Sequence, residues 1–84
     1  MNHMKYIIVD GGFSGSEIPI LFPFIIKHFD VSKGYVGEVV SAGFVCIDFA
    51  DEKVNVWGKS TSLDKESRKE DAEIIKRELN RWSS

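Results

Sequence analysis

The sequence lacks several features that mark particular classes of protein. It has a single cysteine, Cys46, and therefore cannot form the intrachain disulfides typical of small secreted domains. Its longest apolar run, residues 18–26, contains Pro19 and Pro23 and is far too short to span a bilayer. No charged segment followed by an apolar one opens the chain, as it would in a signal peptide. We therefore expect a cytoplasmic protein that has no membrane partner.

The chain also lacks an excess of either charge. Its 11 Lys and Arg residues and 13 Asp and Glu residues give a formal net charge of −2. A nucleic-acid-binding protein usually has a basic face, because neutralising phosphates supplies much of its affinity. The charge balance therefore argues against DNA or RNA as the main partner. A nucleic-acid-associated accessory role remains the alternative, with contacts from Trp57, Lys59, Arg68 and Lys69.

The remaining composition is that of one folded domain. The chain has 84 residues, of which 43% are hydrophobic and 29% are charged. A chain of this length buries roughly 60–65% of the surface that its unfolded form exposes, so it has room for one core. We treat residues 1–84 as a single domain and take residues 1–3 as a cloning leftover outside the fold.

Residues 38–61 predict a central β-hairpin around the polar turn at residues 51–53. The first run is apolar on both faces, which is typical of a central strand covered on both sides. One of its faces carries Val39, Val45, Ile47 and Phe49, and the other carries Val40, Ala42, Phe44 and Cys46. The second run alternates as a half-buried strand does, with its outward positions at Asn55, Trp57, Lys59 and Thr61.

Two further strands and a short helix are predicted before this hairpin. Residues 5–10 and 17–22 are rich in β-forming residues, and a glycine-rich loop separates them. Pro19 cannot donate to a strand ladder, so the second strand belongs at a sheet edge. Pro23 suits the first turn of a helix, and the apolar residues up to Phe29 predict about two turns of buried helix.

A longer helix is predicted over residues 67–82. Ser67 and Glu70 have the spacing of a capping box, in which each side chain bonds the other residue's backbone N–H. Ala72, Ile75, Leu79 and Trp82 then recur at spacings of three and four, which places them on one helix face. We expect Trp82 to plug the core and the charged residues of the helix to form a solvated face.

The element order β-β-α-β-β-α predicts an α+β fold. Hairpin connections would give a four-stranded antiparallel sheet with its helices mainly on one face. The edge position of the second strand and the two apolar faces of the third favour the spatial order 2-1-3-4.

No set of residues in the sequence predicts catalysis, and we expect neither a metal nor another cofactor. The glycine-rich loop is followed by a strand and has no lysine, unlike a phosphate-binding loop. His28 and Asp30 are too few for a metal site and indicate a helix-end histidine paired with a carboxylate. A small metal- or ligand-dependent enzyme would need carboxylates to converge in a cleft. The candidates for such a cleft are Asp10, Asp48, Asp51 and Glu52.

The candidate partner-binding residues centre on Trp57. Alternation places Trp57 on the polar face of the fourth strand, beside Asn55 and Lys59, and tryptophan is enriched at binding hot spots. The competing interpretation is that a helix or the loop at residues 11–16 covers the ring. Phe13, at the tip of that loop, is a further candidate contact.

Four segments together resemble a family of small proteins encoded in bacteriophages, prophages and mobile regions, which has no assigned function. The segments are VVSAGFV at 39–45, WGKS at 57–60 followed by Ser62 and Leu63, SRKEDA at 67–72, and Ile74 with Ile75. The resemblance implies no catalytic residue. It suggests a small protein that binds and redirects or blocks a host protein, including a defence system. We therefore expect a non-enzymatic protein–protein interaction module whose partner is a host protein or a second copy of the chain.

Overall fold

A computed structural model describes residues 2–11, 17–34 and 38–83, apart from the side chains of residues 2, 82 and 83. The elements are β1 (Asn2–Asp10), β2 (Glu17–Phe22), α1 (His28–Ser32), β3 (Val39–Asp48), β4 (Lys53–Trp57), β5 (Lys59–Ser60), β6 (Lys65–Glu66) and α2 (Lys69–Ser83). Strands β1 to β4 form one antiparallel sheet in the order β2-β1-β3-β4, and β5 pairs with β6. The predicted α+β class and spatial strand order are confirmed.

The sheet is buried on both of its faces, and β3 lies at its centre. On the face that we call the helix face, Ile75 of α2 packs against a buried cluster. The other members of this cluster are Tyr6, Ile8, Val45 and Ile47. On the opposite face, which we call the aromatic face, the buried cluster is Ile7, Val9, Phe22 and Ala42. The prediction that β3 is apolar on both sides is therefore confirmed.

The two helices lie on opposite faces of the sheet, so the prediction that the helices lie mainly on one face is wrong for the short α1. The 15-residue α2 covers the helix face, as predicted, and its Ile74 and Leu79 pack beside the buried cluster there. The five-residue α1 lies on the aromatic face, where Val31 packs against the cluster around Ile7. No described helix is both long and apolar enough to cross a membrane.

A register shift changes the start of β3. The pairing of β1 with β3 is irregular between Ile8 and Val9. Val39 consequently packs on the aromatic face and Val40 packs on the helix face, the reverse of the sequence prediction. Since side chains alternate along a strand, a one-residue irregularity exchanges the faces of all residues beyond it.

The fourth strand ends earlier than predicted. Gly58 follows Trp57 with a φ of 78°, a left-handed conformation that glycine adopts without a steric cost. The chain then leaves the main sheet, and Lys59 pairs with Glu66 in the small β5–β6 sheet. The prediction of one alternating strand through Thr61 is therefore wrong beyond Trp57.

The first strand and the first helix also differ from the prediction. Residues 2 and 3 extend β1, where His3 lies opposite Cys46, so they belong to the fold. A turn rather than a helix follows Pro23, with the Ile26 N–H donating to the Pro23 carbonyl over 3.1 Å. Helix α1 begins only at His28. As a result, the apolar residues predicted to be buried in this helix are largely exposed, namely Phe24, Ile25, Ile26 and Phe29.

Candidate functional site

A group of aromatic rings lies on the aromatic face of the sheet near β4. Trp57 stacks on Phe44 of β3, with ring centroids 6.0 Å apart and an angle of 25° between the planes. Phe24 contacts the same Phe44 ring edge-on at 5.6 Å, and His3 contacts Trp57 edge-on at 6.2 Å. We call these four residues together with Ile26 the aromatic surface.

The aromatic surface is open to solvent. Trp57 is 43% exposed and Phe24 is 47% exposed, although each also contacts the Phe44 ring. Ile26 is 38% exposed, and the adjoining Ile25 is 91% exposed. A contiguous group of large apolar side chains in water is uncommon on a monomeric protein and marks interaction sites. Between the two interpretations of Trp57, the described part of the chain therefore favours an exposed ring.

Two polar contacts hold the segment with Phe24 and Ile26 against the sheet. The ammonium group of Lys5, in β1, donates to the Ile26 carbonyl over 3.0 Å. The Nε2 atom of buried His28 lies 2.9 Å from the carbonyl oxygen of Gly43, within hydrogen-bond distance. Both contacts lie on the C-terminal side of Phe24, at residues 26 and 28, and the pairing of β2 with β1 holds the chain on the N-terminal side as far as Phe22. The exposed apolar side chains are therefore presented from an ordered backbone.

His28 is the first residue of α1 and so lies at a helix end as predicted, but its ring is buried in the core and contacts the Gly43 carbonyl rather than a carboxylate. Its ring packs edge-on between Phe22, at 5.4 Å, and Phe44, at 5.8 Å. Burial among these rings lowers the pKa of His28, and the contact with the Gly43 carbonyl opposes that effect in part. Asp30, its predicted partner, instead lies 4.0 Å from Lys33.

The other predicted binding residues are not all brought together. Asn55 is exposed on β4, two residues from Trp57 and on the same face of the strand. Lys59 belongs to β5 rather than β4, so its predicted place in a row with Asn55 and Trp57 is wrong. Phe13 lies outside the described residues, as does the Trp82 side chain that was predicted to plug the core.

A buried polar network, which the sequence analysis missed, joins α2 to the first two strands. The Asp71 side chain is completely buried and accepts a hydrogen bond from the Tyr6 hydroxyl over 2.6 Å. It also accepts from the backbone N–H and the Nε–H of Arg68, each over 2.9 Å. The guanidinium of Arg68 continues to Glu17 at the start of β2, over 2.8 and 3.3 Å. The network therefore connects β1, β2 and α2.

Asp71 also sets where α2 begins. The helix starts at Lys69, and Asp71 lies in its first turn and accepts from the N–H of the residue before the helix. This is the acidic half of a capping box, one residue later than predicted. Ser67 lies two residues before the helix, and its backbone N–H donates to the Gly58 carbonyl over 3.0 Å rather than to Glu70, so the predicted capping box does not form.

The electrostatics of this network favour a structural role. Burial raises the pKa of Tyr6, and the hydrogen bond to Asp71 raises it further. Hydrogen bonds to Glu17 and Asp71 raise the pKa of Arg68. Tyr6 therefore stays protonated and Arg68 stays charged, and both are already engaged with protein groups.

The sequence contains a signal for the buried acid. Asp71 lies four residues before Ile75 and eight before Leu79, so it occupies the same helix face as the apolar residues. A carboxylate on an apolar face is rarely buried unless it is paired. The assignment of Arg68 and Asp71 to a solvated charged face was therefore wrong.

The four predicted carboxylates do not all converge, although Asp48 and Glu52 both line a groove on the helix face. In the strand ladders, Asp10 lies opposite Glu17 at one end of the sheet, whereas Asp48 lies opposite Lys53 at the other end. The Asp48 side chain accepts from the backbone N–H groups of Ala50 and Asp51, which accounts for an aspartate at this turn. Among residues 2–11, 17–34 and 38–83, no three His, Cys, Asp or Glu side chains are grouped to hold a metal ion.

An apolar groove of about 620 Å³ opens on the helix face, between the second half of α2 and the sheet. Its apolar lining is Met4, Leu21, Ile47, Phe49, Val54 and Leu79, and its polar lining is Asp48, Glu52, Lys76 and Asn80. Phe49 at its rim is 62% exposed and lies on the side of the sheet opposite the aromatic surface.

Comparison with protein-family models, with curated proteins and with solved structures finds no match to this chain.

Proposed function

We propose that this chain is a small, non-enzymatic protein-interaction module that binds its partner through the aromatic surface. The observation that carries the proposal is the exposure of Trp57 and Phe24 at the two sides of a packed Phe44 ring. In line with the resemblance to phage and prophage proteins, the proposed role is that of an accessory or inhibitor that binds a host protein.

The physical case rests on how such a surface gains free energy on binding. Trp57 and Phe24 are already ordered by their contacts with Phe44, so a partner that covers them immobilises few additional rotatable bonds. Burying the exposed parts of these rings removes apolar surface from water. Rigid aromatic side chains of this kind are the residues on which interface energy concentrates.

The basic residues that a nucleic-acid role would use are not gathered at the aromatic surface, which favours a protein partner. Arg68, one of the basic residues that a nucleic-acid role would use, is engaged by Glu17 and Asp71. Lys59 lies in the separate β5–β6 sheet, outside the strand that carries Trp57. A phosphate backbone would therefore meet fewer free cations than the sequence suggests.

The test compares two single substitutions of exposed aromatic residues on opposite sides of the sheet. Trp57→Ala should abolish capture of a partner from bacterial lysate, whereas Phe49→Ala should retain it. With the purified partner, Trp57→Ala should weaken binding by about 2 kcal/mol or more, roughly a 30-fold rise in Kd. The free energy of unfolding of the Trp57→Ala variant should stay within about 1 kcal/mol of the parent value, because the main contact that the variant loses is the stacking of Trp57 on Phe44.

Three results would contradict the proposal. One is equal capture by the parent and the Trp57→Ala variant, which would exclude the aromatic surface. Another is a loss of several kcal/mol of folding stability in that variant, which would make Trp57 a core residue. The third is binding to DNA or RNA that weakens steeply between 50 and 200 mM salt, since this is the behaviour of phosphate-driven association.

A further inference from the structure

Strand β4 forms a free edge of the main sheet. It pairs with β3 on one side, and no strand within residues 2–11, 17–34 and 38–83 pairs with its other side. An edge strand presents a row of backbone N–H and C=O groups that another strand can pair with. The edge therefore requires either protection or a partner.

The two edges of the sheet differ in how they are protected. Edge strand β2 carries Pro19 near its middle, and proline removes a donor and blocks regular pairing. The five residues of β4, KVNVW, contain no proline and no glycine, and their only charge is Lys53 at one end. Valine and tryptophan are favourable strand residues. Of the two edges, β4 is the one suited to pairing.

We propose that two copies of the chain associate by antiparallel pairing of their β4 strands about a two-fold axis at Asn55. Asn55 then lies opposite Asn55 of the second copy, and Lys53 lies opposite Trp57 of the second copy. The main sheets of the two copies become one continuous sheet.

The sequence of β4 suits this register. Pairing about Asn55 uses all five residues of the strand and sets no two like charges opposite each other. The lysine ammonium instead meets the tryptophan ring, which attracts cations. On the helix face, Val54 meets Val56 of the second copy, a favourable pairing of β-branched side chains. A register that brings Lys53 opposite itself would pair fewer residues and place two positive charges together.

The pairing also determines how the aromatic surfaces are arranged. A two-fold axis perpendicular to a continuous sheet keeps the aromatic face of each copy on the same side. Both Trp57 rings then lie near the junction. The dimer would present two binding surfaces to one partner assembly, which raises avidity without any new contact. This consequence rests on the proposed function, whereas the pairing itself does not.

Disulfide crosslinking tests the register directly, in a Cys46→Ala background that leaves no native thiol. Asn55→Cys should form a crosslinked dimer upon mild oxidation, because the two positions face each other across the axis. Lys53→Cys is the matched control on the same face of the same strand. Its two copies would lie about 13 Å apart along the strands, beyond the roughly 7 Å limit for a disulfide. It should therefore remain uncrosslinked.

Sedimentation equilibrium provides the second measurement. The parent chain should dimerise, and Asn55→Lys should weaken the dimer by about tenfold or more, since it places two like charges opposite each other. Thr61→Lys, which adds the same charge at an exposed position outside β4, should leave the dimer intact. Circular dichroism confirms that each variant is folded.

A monomeric parent at 200 µM would overturn the pairing, and so would a dimer that crosslinks through Lys53→Cys or fails to crosslink through Asn55→Cys. These results can be distinguished from a failure of the proposed function. A monomeric chain that still loses its partner upon Trp57→Ala would refute the dimer alone. A crosslinking dimer that captures nothing through Trp57 would refute the binding role alone.

Discussion

Replacing Asp71 with alanine should remove a large part of the stability of this domain. The substitution deletes the carboxylate that joins Tyr6 to Arg68, at a position with no solvent exposure. It leaves the buried Tyr6 hydroxyl without its acceptor and the backbone N–H of Arg68 without its cap. Water cannot replace these contacts unless the helix moves away from the sheet.

The size of the loss follows from what remains paired. Breaking a buried ion pair by removing one partner typically costs about 3–5 kcal/mol. Arg68 keeps its bonds to Glu17, and its side chain is 28% exposed, so the stranded charge is partly compensated and the lower end of the range applies. We therefore expect a loss of about 3 kcal/mol. At about 0.05–0.15 kcal/mol per residue, a domain of this size has about 4–13 kcal/mol in total.

Urea denaturation followed by circular dichroism at pH 7 measures this loss, and two variants help to interpret it. Tyr6→Phe should cost about 1.5–3 kcal/mol, since it removes a hydrogen bond to a charged group. Glu73→Ala, which removes an exposed carboxylate from the same helix, should change the free energy of unfolding by less than about 0.5 kcal/mol. A loss below about 1 kcal/mol for Asp71→Ala would refute the claim that this network anchors α2.

The network also predicts a response to alkaline pH. Burial and Asp71 raise the pKa of folded Tyr6 above the ordinary tyrosine value near 10. Above that pH the unfolded chain releases the Tyr6 proton and the folded chain retains it. The contribution of Tyr6 to the free energy of unfolding is therefore complete below about pH 10 and declines as the pH rises further. The Tyr6→Phe variant should lose stability less steeply than the parent over this range.

Two further predictions concern His28 and Gly43. Burial lowers the pKa of His28, so the unfolded chain binds a proton more readily and the free energy of unfolding should fall as the pH drops from about 7 to 5. His28→Gln should flatten this decline relative to the parent, and an unchanged profile would contradict the assignment. Gly43→Ala should cost about 1–3 kcal/mol, because the new Cβ would lie 2.6 Å from the Trp57 carbonyl oxygen. Gly34→Ala, whose Cβ would have its nearest neighbour at 3.6 Å, is the control, and equal losses would show that the contact at Gly43 is unimportant.

The parts of the fold that sequence predicts well are those in which local pattern and tertiary environment agree. The apolar run of β3 and the alternation of β4 predict a central strand beside a half-buried one, and the sheet has that arrangement. Pro19 similarly places β2 at an edge. In each case the residues that set the secondary structure are also those that set the burial.

The misplaced elements depend on contacts that no local pattern contains. The side chains of residues 39 and 40 exchange faces because of an irregular pairing with a strand about 30 residues earlier in the chain. The segment after Pro23 is apolar enough for a buried helix, but it is held as a turn by Lys5 and His28, which leaves its apolar side chains in water. Periodicity alone gives no information about either arrangement.

The residues of the candidate site likewise fall into two groups, those that a local pattern predicts and those that only tertiary contacts bring together. Alternation along β4 correctly places Trp57 and Asn55 on one face, because both belong to one regular strand. His3, Phe24 and Phe44 come from three segments other than β4, and they join Trp57 through tertiary contacts, Phe24 by way of the Phe44 ring. Lys59 leaves the site because one residue, Gly58, adopts a left-handed conformation.

The contacts on the helix face and the aromatic surface differ in how much they contribute to the stability of the fold. The helix face contains α2 and the fully buried contacts of Tyr6, Asp71 and Ile75. Much of the aromatic surface, by contrast, is in contact with water, so substitutions of its exposed side chains should cost the fold little. Under the proposed function, the exposed aromatic side chains supply the binding energy and the buried residues supply the stability of the fold. We infer that α2 and the Asp71 network provide the stability that allows apolar side chains such as Trp57 and Phe24 to remain exposed on the opposite face.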